Sequence, residues 1–160
     1  MNIFELALRM EKEAGDYYRA HAGNNYSEGI RGTFRFLAEE EDRHFLMVND
    51  LYERLLSEGR TRFIDARGLM DALLLDSREH IFGGSIVAVY NYAIEMEKAS
   101  MQVYQELTRD VEDAERIDLL TMLAREEARH IELLDDLLEI SRKPEEWVEN
   151  PEFSHIGEEY

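Results

Sequence analysis

Leu37-Ala38-Glu39-Glu40-Glu41-Asp42-Arg43-His44 and Leu123-Ala124-Arg125-Glu126-Glu127-Ala128-Arg129-His130 are one octapeptide written twice, with changes at only two positions. The offset is constant, since 127 − 41 = 86 and 130 − 44 = 86. Each copy sits in a run of apolar residues. The first steps Phe34, Leu37, Glu41, His44, Val48, Leu51; the second steps Leu120, Leu123, Glu127, His130, Leu134, Leu137. Steps of three and four follow one face of an α-helix. The carboxylate and the imidazole therefore share the face that should be buried. Outward from these copies the same offset recurs: Met10-Glu11-Lys12 matches Met96-Glu97-Lys98, and Tyr18 matches Tyr104. There the stripes run Phe4, Leu8, Glu11, Gly15, Tyr18 and Tyr90, Ile94, Glu97, Met101, Tyr104. Four helices each turn one glutamate inward, and two of them add a histidine one turn later. Two helical hairpins with the same polar residues imply a pseudo-two-fold internal repeat.

Four buried carboxylates without compensation are very costly. Two divalent cations supply the four positive charges that balance them. Glu-x-x-His places an oxygen and a nitrogen about one turn apart on one face, within reach of one metal pair. Glu41 and Glu127 suit bridging positions, Glu11 and Glu97 terminal ones, and His44 and His130 bind one metal each. A glutamate from each of two helices plus Glu-x-x-His from each of two others is the donor set of di-iron and di-manganese bundles. A solvated charged face is the plainer reading of Glu39, Glu40, Asp42 and Glu126, which are assigned to solvent. Tyr18 and Tyr104 lie two turns beyond Glu11 and Glu97 and are candidate hydrogen-bond donors to the ligand carboxylates. Core tyrosines satisfied elsewhere are an equal alternative. His21, His80 and His155 have no partner pattern and are read as surface residues. The methionines are read as core filler.

The first helix is expected from the cap Asn2 to about Ala22. Gly23-Asn24-Asn25 should end it, because these residues tolerate left-handed backbone. Ser27 caps a second helix that runs to about Glu58, with Gly59 as its stop. A short helix is expected over roughly Leu69 to Arg78. Ser85 caps a third long helix to about Arg109, and a fourth spans about Glu112 to Arg142, stopped by Pro144. A helix of about 22 residues is about 33 Å long. The stretch 60–84 can span most of that length, which favours two hairpins joined by a long crossover. The expectation is an all-α four-helix bundle over residues 1–143, with a C-terminal tail at 144–160.

The 160 residues suit one domain. Hydrophobic residues at 44% can bury a core, and a net charge of −18 argues against a grip on nucleic-acid phosphates or an anionic membrane. With no cysteine there is no disulfide, thiol nucleophile or Cys-held metal in these residues. No apolar run reaches membrane-spanning length and no signal pattern opens the chain, so a cytoplasmic protein is expected.

Together Met10-Glu11-Lys12-Glu13-Ala14 with Tyr18, the two octapeptides, and Met96-Glu97-Lys98 with Tyr104 resemble the ferritin-like di-iron superfamily, most of all its rubrerythrin branch. The resemblance covers roughly residues 2 to 142. It implies a ferritin-like four-helix bundle, often assembled as a homodimer. It also implies two iron ions on Glu11, Glu41, His44, Glu97, Glu127 and His130, with manganese or zinc as other occupants. The implied activity is reduction of hydrogen peroxide or dioxygen. Full rubrerythrins carry a Cys-rich rubredoxin module. This sequence has no Cys, so the implied electron donor is a separate rubredoxin-type protein or a small reductant. Rubrerythrins also carry a further ligand glutamate where this chain has Ser100, whose repeat mate is Ala14. The resulting four-Glu, two-His set is similar to the ferroxidase centre of bacterioferritins. A ferroxidase or iron-handling protein is therefore one alternative, and a metal-free helical interaction module is another.

Overall fold

A computed structural model describes the backbone of residues 1–69 and 84–149, with side chains as far as residue 143. Four long helices make up almost all of it: α1 (Ile3–Ala22), α2 (Glu28–Ser57), α3 (Ile86–Leu107) and α4 (Ala114–Glu149). The sequence signals explain most of the ends. Asn2 caps α1 with a reciprocal box: its side chain accepts from the Phe4 and Glu5 amides, and the Glu5 carboxylate accepts from the Asn2 amide at 2.8 Å. Ser27 and Ser85 cap α2 and α3 through the Ile30 and Ala88 amides. Asp113 accepts from the Arg116 amide at 3.1 Å and starts α4 in the same way.

Gly59 is the one described residue with positive φ, at 87°. Its amide bonds the Leu56 carbonyl and the next amide, Arg60, reaches back to Leu55, which closes α2 in a Schellman motif. Two expected ends differ. Gly23 does terminate α1, but with right-handed backbone at φ −82°, its amide shared between the Arg19 and Ala20 carbonyls. Pro144 does not stop α4, which continues to Glu149. Proline removes one amide donor and its ring crowds the carbonyl four residues back, but the residues beyond it can still bond, so a helix can pass through at a cost of about 3 kcal/mol. The short helix expected over Leu69 to Arg78 lies largely outside the described residues, as do His80 and His155.

Helices α1 and α2 form one antiparallel hairpin and α3 and α4 the other. The hairpins meet mainly through α1 and α3, while α2 and α4 stand further apart. This is the ferritin-like arrangement, with a crossover segment between α2 and α3. Its first residues fold back onto the start of the chain: the Ile3 amide bonds the Ile64 carbonyl at 2.9 Å and the Ala66 amide bonds the Met1 carbonyl at 3.2 Å. Arg60 then pairs with buried Asp110 at 2.7 Å, fastening the crossover to the turn between α3 and α4.

The core is divided. One cluster, around Phe4, Leu51, Leu55, Tyr104, Leu107 and Leu120, fills the end where α1 begins. A second, around Tyr17, Tyr18, Phe34, Tyr90, Ile94 and Leu134, fills the opposite end. The glutamates and histidines on the apolar stripes lie between the two.

Candidate metal centre

Glu11, Glu41, His44, Glu97, Glu127 and His130 are all buried, none more than 4% exposed. All four helices contribute, each through the helical period that keeps its polar residue in phase with the core stripe. Two groups of possible ligand atoms result: Glu11, Glu41, His44 and Glu127 in one, and Glu41, Glu97, Glu127 and His130 in the other, each within 4.8 Å. Glu41 and Glu127 belong to both.

The atoms that face inward are unpaired. Glu11 Oε2, Glu97 Oε2, both oxygens of Glu41, both oxygens of Glu127 and Nδ1 of each histidine make no well-directed hydrogen bond. His44 Nδ1 stands 3.0 Å from Glu127 Oε1 and 3.6 Å from Glu11 Oε2. His130 Nδ1 stands 3.2 Å from Glu41 Oε1, 3.3 Å from Glu127 Oε2 and 3.5 Å from Glu97 Oε2. A buried polar atom left unpaired costs about 1–3 kcal/mol. Two divalent cations would satisfy all eight, so the donor set fits the group that the sequence implies.

The two tyrosines take up the remaining terminal oxygens, and they do so crosswise. Tyr104 of α3 donates to Glu11 Oε1 of α1 at 2.7 Å. Tyr18 of α1 donates to Glu97 Oε1 of α3. Each tyrosine therefore serves the glutamate of the other hairpin. Glu11 and Glu97 keep one oxygen each for an ion, whereas Glu41 and Glu127 keep two.

Protonation follows from crowding. Burial, reinforced by the charges of Glu97, Glu127 and Glu11, pushes Glu41 well above the carboxylate range. Burial and the charges of Glu11 and Glu97 push Glu127 up to about 8. For His44 burial works downward, but the facing Glu11 and Glu127 carboxylates together outweigh it and lift the imidazole to about 10. His130 is raised in the same way by Glu127, Glu41 and Glu97. Burial, then the neighbouring carboxylates, keeps the phenols of Tyr18 and Tyr104 protonated. Without an ion the crowded carboxyls and imidazoles therefore retain protons, which cations would displace.

Three residues that the sequence assigns to solvent or the surface are wholly or partly buried: Glu126, His21 and Glu40, whose side chain is 25% exposed beside Arg43. Glu126, expected in solvent, is 16% exposed and lies 3.0 Å from His44 Nε2 through its Oε2. Arg43 ties that same oxygen at 2.8 Å and Glu40 at 2.7 Å, bridging α2 and α4. Glu126 is out of phase with the α4 stripe, and it is covered only because the Arg43 and His44 side chains of α2 reach it. His21 is buried at 3% exposure, packed 4.5 Å from the Tyr17 ring and 5.6 Å from Phe34. Burial alone lowers its pKa. It sits at the end of α1, where the α1–α2 turn folds Tyr26 and Asn24 over it.

An all-α bundle crossed at mid-height by a carboxylate–imidazole belt defines a class of carboxylate metalloproteins. The rubrerythrin family model matches residues 2–138, and the chain belongs to the rubrerythrin family. That membership supports a di-iron carboxylate protein with redox or iron-handling activity. A hypothetical protein from Pyrococcus furiosus has a similar structure, with a TM-score of 0.67, 20% identity and 87% of each chain covered. At that identity the likeness concerns the fold alone. No curated protein matches the chain.

Proposed function

We propose that this protein is a rubrerythrin-like redox enzyme that reduces hydrogen peroxide, or dioxygen, with electrons from a separate donor. Two iron ions would be held by Glu11, Glu41, His44 and Glu127 on one side and by Glu97, Glu127, Glu41 and His130 on the other. The observation that carries this reading is the set of eight buried, unpaired ligand atoms, divided into two groups of four residues that share Glu41 and Glu127. When bound, the iron pair supplies two electrons and Lewis acidity for breaking the O–O bond. The balance for peroxide is H₂O₂ + 2 e⁻ + 2 H⁺ → 2 H₂O.

This chain's residues do the rest. Glu41 and Glu127, with both oxygens free, suit bridging positions. Tyr104 and Tyr18 each engage one oxygen of Glu11 and Glu97 and so orient the other inward. The apolar clusters above and below exclude bulk water, which strengthens each electrostatic contact at the belt. These 160 residues hold no Cys, so the proposed electron supply is a rubredoxin-type protein or a small reductant outside them. A cytoplasmic homodimer fits the same reading, and no described helix is long and apolar enough to cross a membrane.

Ferroxidase or iron-handling activity is the second reading. It is favoured by buried Ser100, which leaves a symmetrical four-Glu, two-His donor set. Anaerobic loading with Fe(II) and stopped-flow mixing with peroxide tests the first. The expected result is two irons per chain, oxidised faster than free Fe(II) and re-reduced by an added donor over repeated turnovers. Oxidation no faster than free Fe(II) refutes the enzyme. Many irons per chain in a large hollow assembly favour the second reading.

A further inference from the structure

The internal repeat pairs Glu126 with Glu40, Arg129 with Arg43 and His130 with His44, all at the offset of 86, since 126 − 40 = 86. Were the two-fold relation complete, the outward nitrogens of both histidines would meet equivalent carboxylates. They do not. His44 Nε2 lies 3.0 Å from Glu126 Oε2, a partner held in place by Arg43. Glu40 has its Oε2 on Arg43 at 2.7 Å, although one of its oxygens stays within 4.8 Å of a nitrogen of each histidine. The His130 ring instead stands T-shaped to Phe36, with 6.5 Å between ring centres and 80° between planes, and Phe36 is 49% exposed.

An ionised carboxylate can only accept, so His44 donates Nε2–H to Glu126, and Nδ1, once it gives up its proton, is the nitrogen left for an ion. A carboxylate behind a ligating imidazole also makes it a stronger donor to the metal, and loss of such a partner typically costs about 10–100-fold in metal affinity. We infer that the two metal positions are unequal, that the Glu11–His44 position takes the first divalent ion, and that Glu126 is the positioning residue responsible. The inference rests on the proposed metal centre and adds an order of filling to it.

Zinc titration of the metal-free protein against a competing chelator, followed by NMR of ¹⁵N-labelled histidine rings, tests this. Two binding steps at least about 10-fold apart are expected, with the His44 ring signals moving in the first and those of His130 in the second. Glu126→Leu should weaken the first step by about 10–100-fold and leave the second in place. Glu126→Gln keeps an acceptor of the same size without the charge and should fall between. Two equal steps in the unmodified protein overturn the inference even if Glu126→Leu fails to fold. So do unequal steps that survive in folded Glu126→Leu. Binding of two zinc ions with equal affinity sinks this inference alone, whereas no binding at all sinks the metal centre with it.

Discussion

Glu41 and Glu127 bring both carboxylate oxygens into the core with no hydrogen bond to either, and their titration should govern the metal-free protein above pH 5. The folded pKa of Glu127 is about 8 against an ordinary 4.5, and Glu41 is raised as well. His44 is raised to about 10 from 6.5, and His130 moves the same way. Each of these groups binds more protons folded than unfolded across this window, so each loses its contribution as pH rises. Buried His21 has the opposite sign, but only below its ordinary 6.5. Below about pH 4.5 the direction reverses, because Asp16, Glu97 and Glu126 are lowered and their contributions are lost as pH falls through their folded values. The melting temperature of the metal-free protein should therefore peak near pH 5 and fall toward pH 9. Saturating divalent cation should flatten or invert that slope, because binding needs the deprotonated ligands. A melting temperature that climbs from pH 5 to 8 without metal would contradict this linkage. At this scale the six belt residues are legible in the sequence because each breaks an apolar stripe in phase. Glu126 and His21 are not, because their burial comes from α2 and from the α1–α2 turn folding over them.

The helix ends carry their own energetics. Asn2 accepts two amides at the start of α1, receives the reciprocal bond from Glu5, and donates through Nδ2 to the Tyr52 hydroxyl of α2 at 2.8 Å. Asn2→Ala removes the cap and that cross-helix bond together. Loss of about 1–2 kcal/mol is expected, at the upper end of the cost of a lost cap, read as a lower midpoint in urea with an unchanged m-value. Zinc stoichiometry should not change, since the site is two turns further along α1. Caps are readable from sequence because a side chain and an amide three residues away meet in any helix start. Gly23 and Pro144 are less legible. Glycine permits left-handed backbone without imposing it, and proline deletes one donor while the residues after it can still bond.

Across the whole molecule the polar belt separates two apolar clusters, so packing and metal binding should be separable. Leu55, 2% exposed, belongs to the cluster at the start of α1. Leu55→Ala should cost about 2–5 kcal/mol through lost burial and a residual cavity, with two ions still bound per chain. Glu41→Ala combined with Glu127→Ala should do the reverse: metal content falls sharply, and the fall in metal-free melting temperature between pH 5 and pH 9 becomes shallower, because two carboxyls with raised pKa have been removed. Unchanged metal content in that double variant would reject the site assignment.

The sequence alone determined four amphipathic helices, their duplication and the six polar residues that interrupt the apolar stripes, because helical period is a local property of the chain. Only the tertiary structure decided that each tyrosine serves the opposite hairpin, that Arg43 and Glu126 close over His44, and that the two histidines lose their equivalence. Those contacts join residues 79 to 93 positions apart. Their partners are chosen by how the helices cross, which no local pattern encodes.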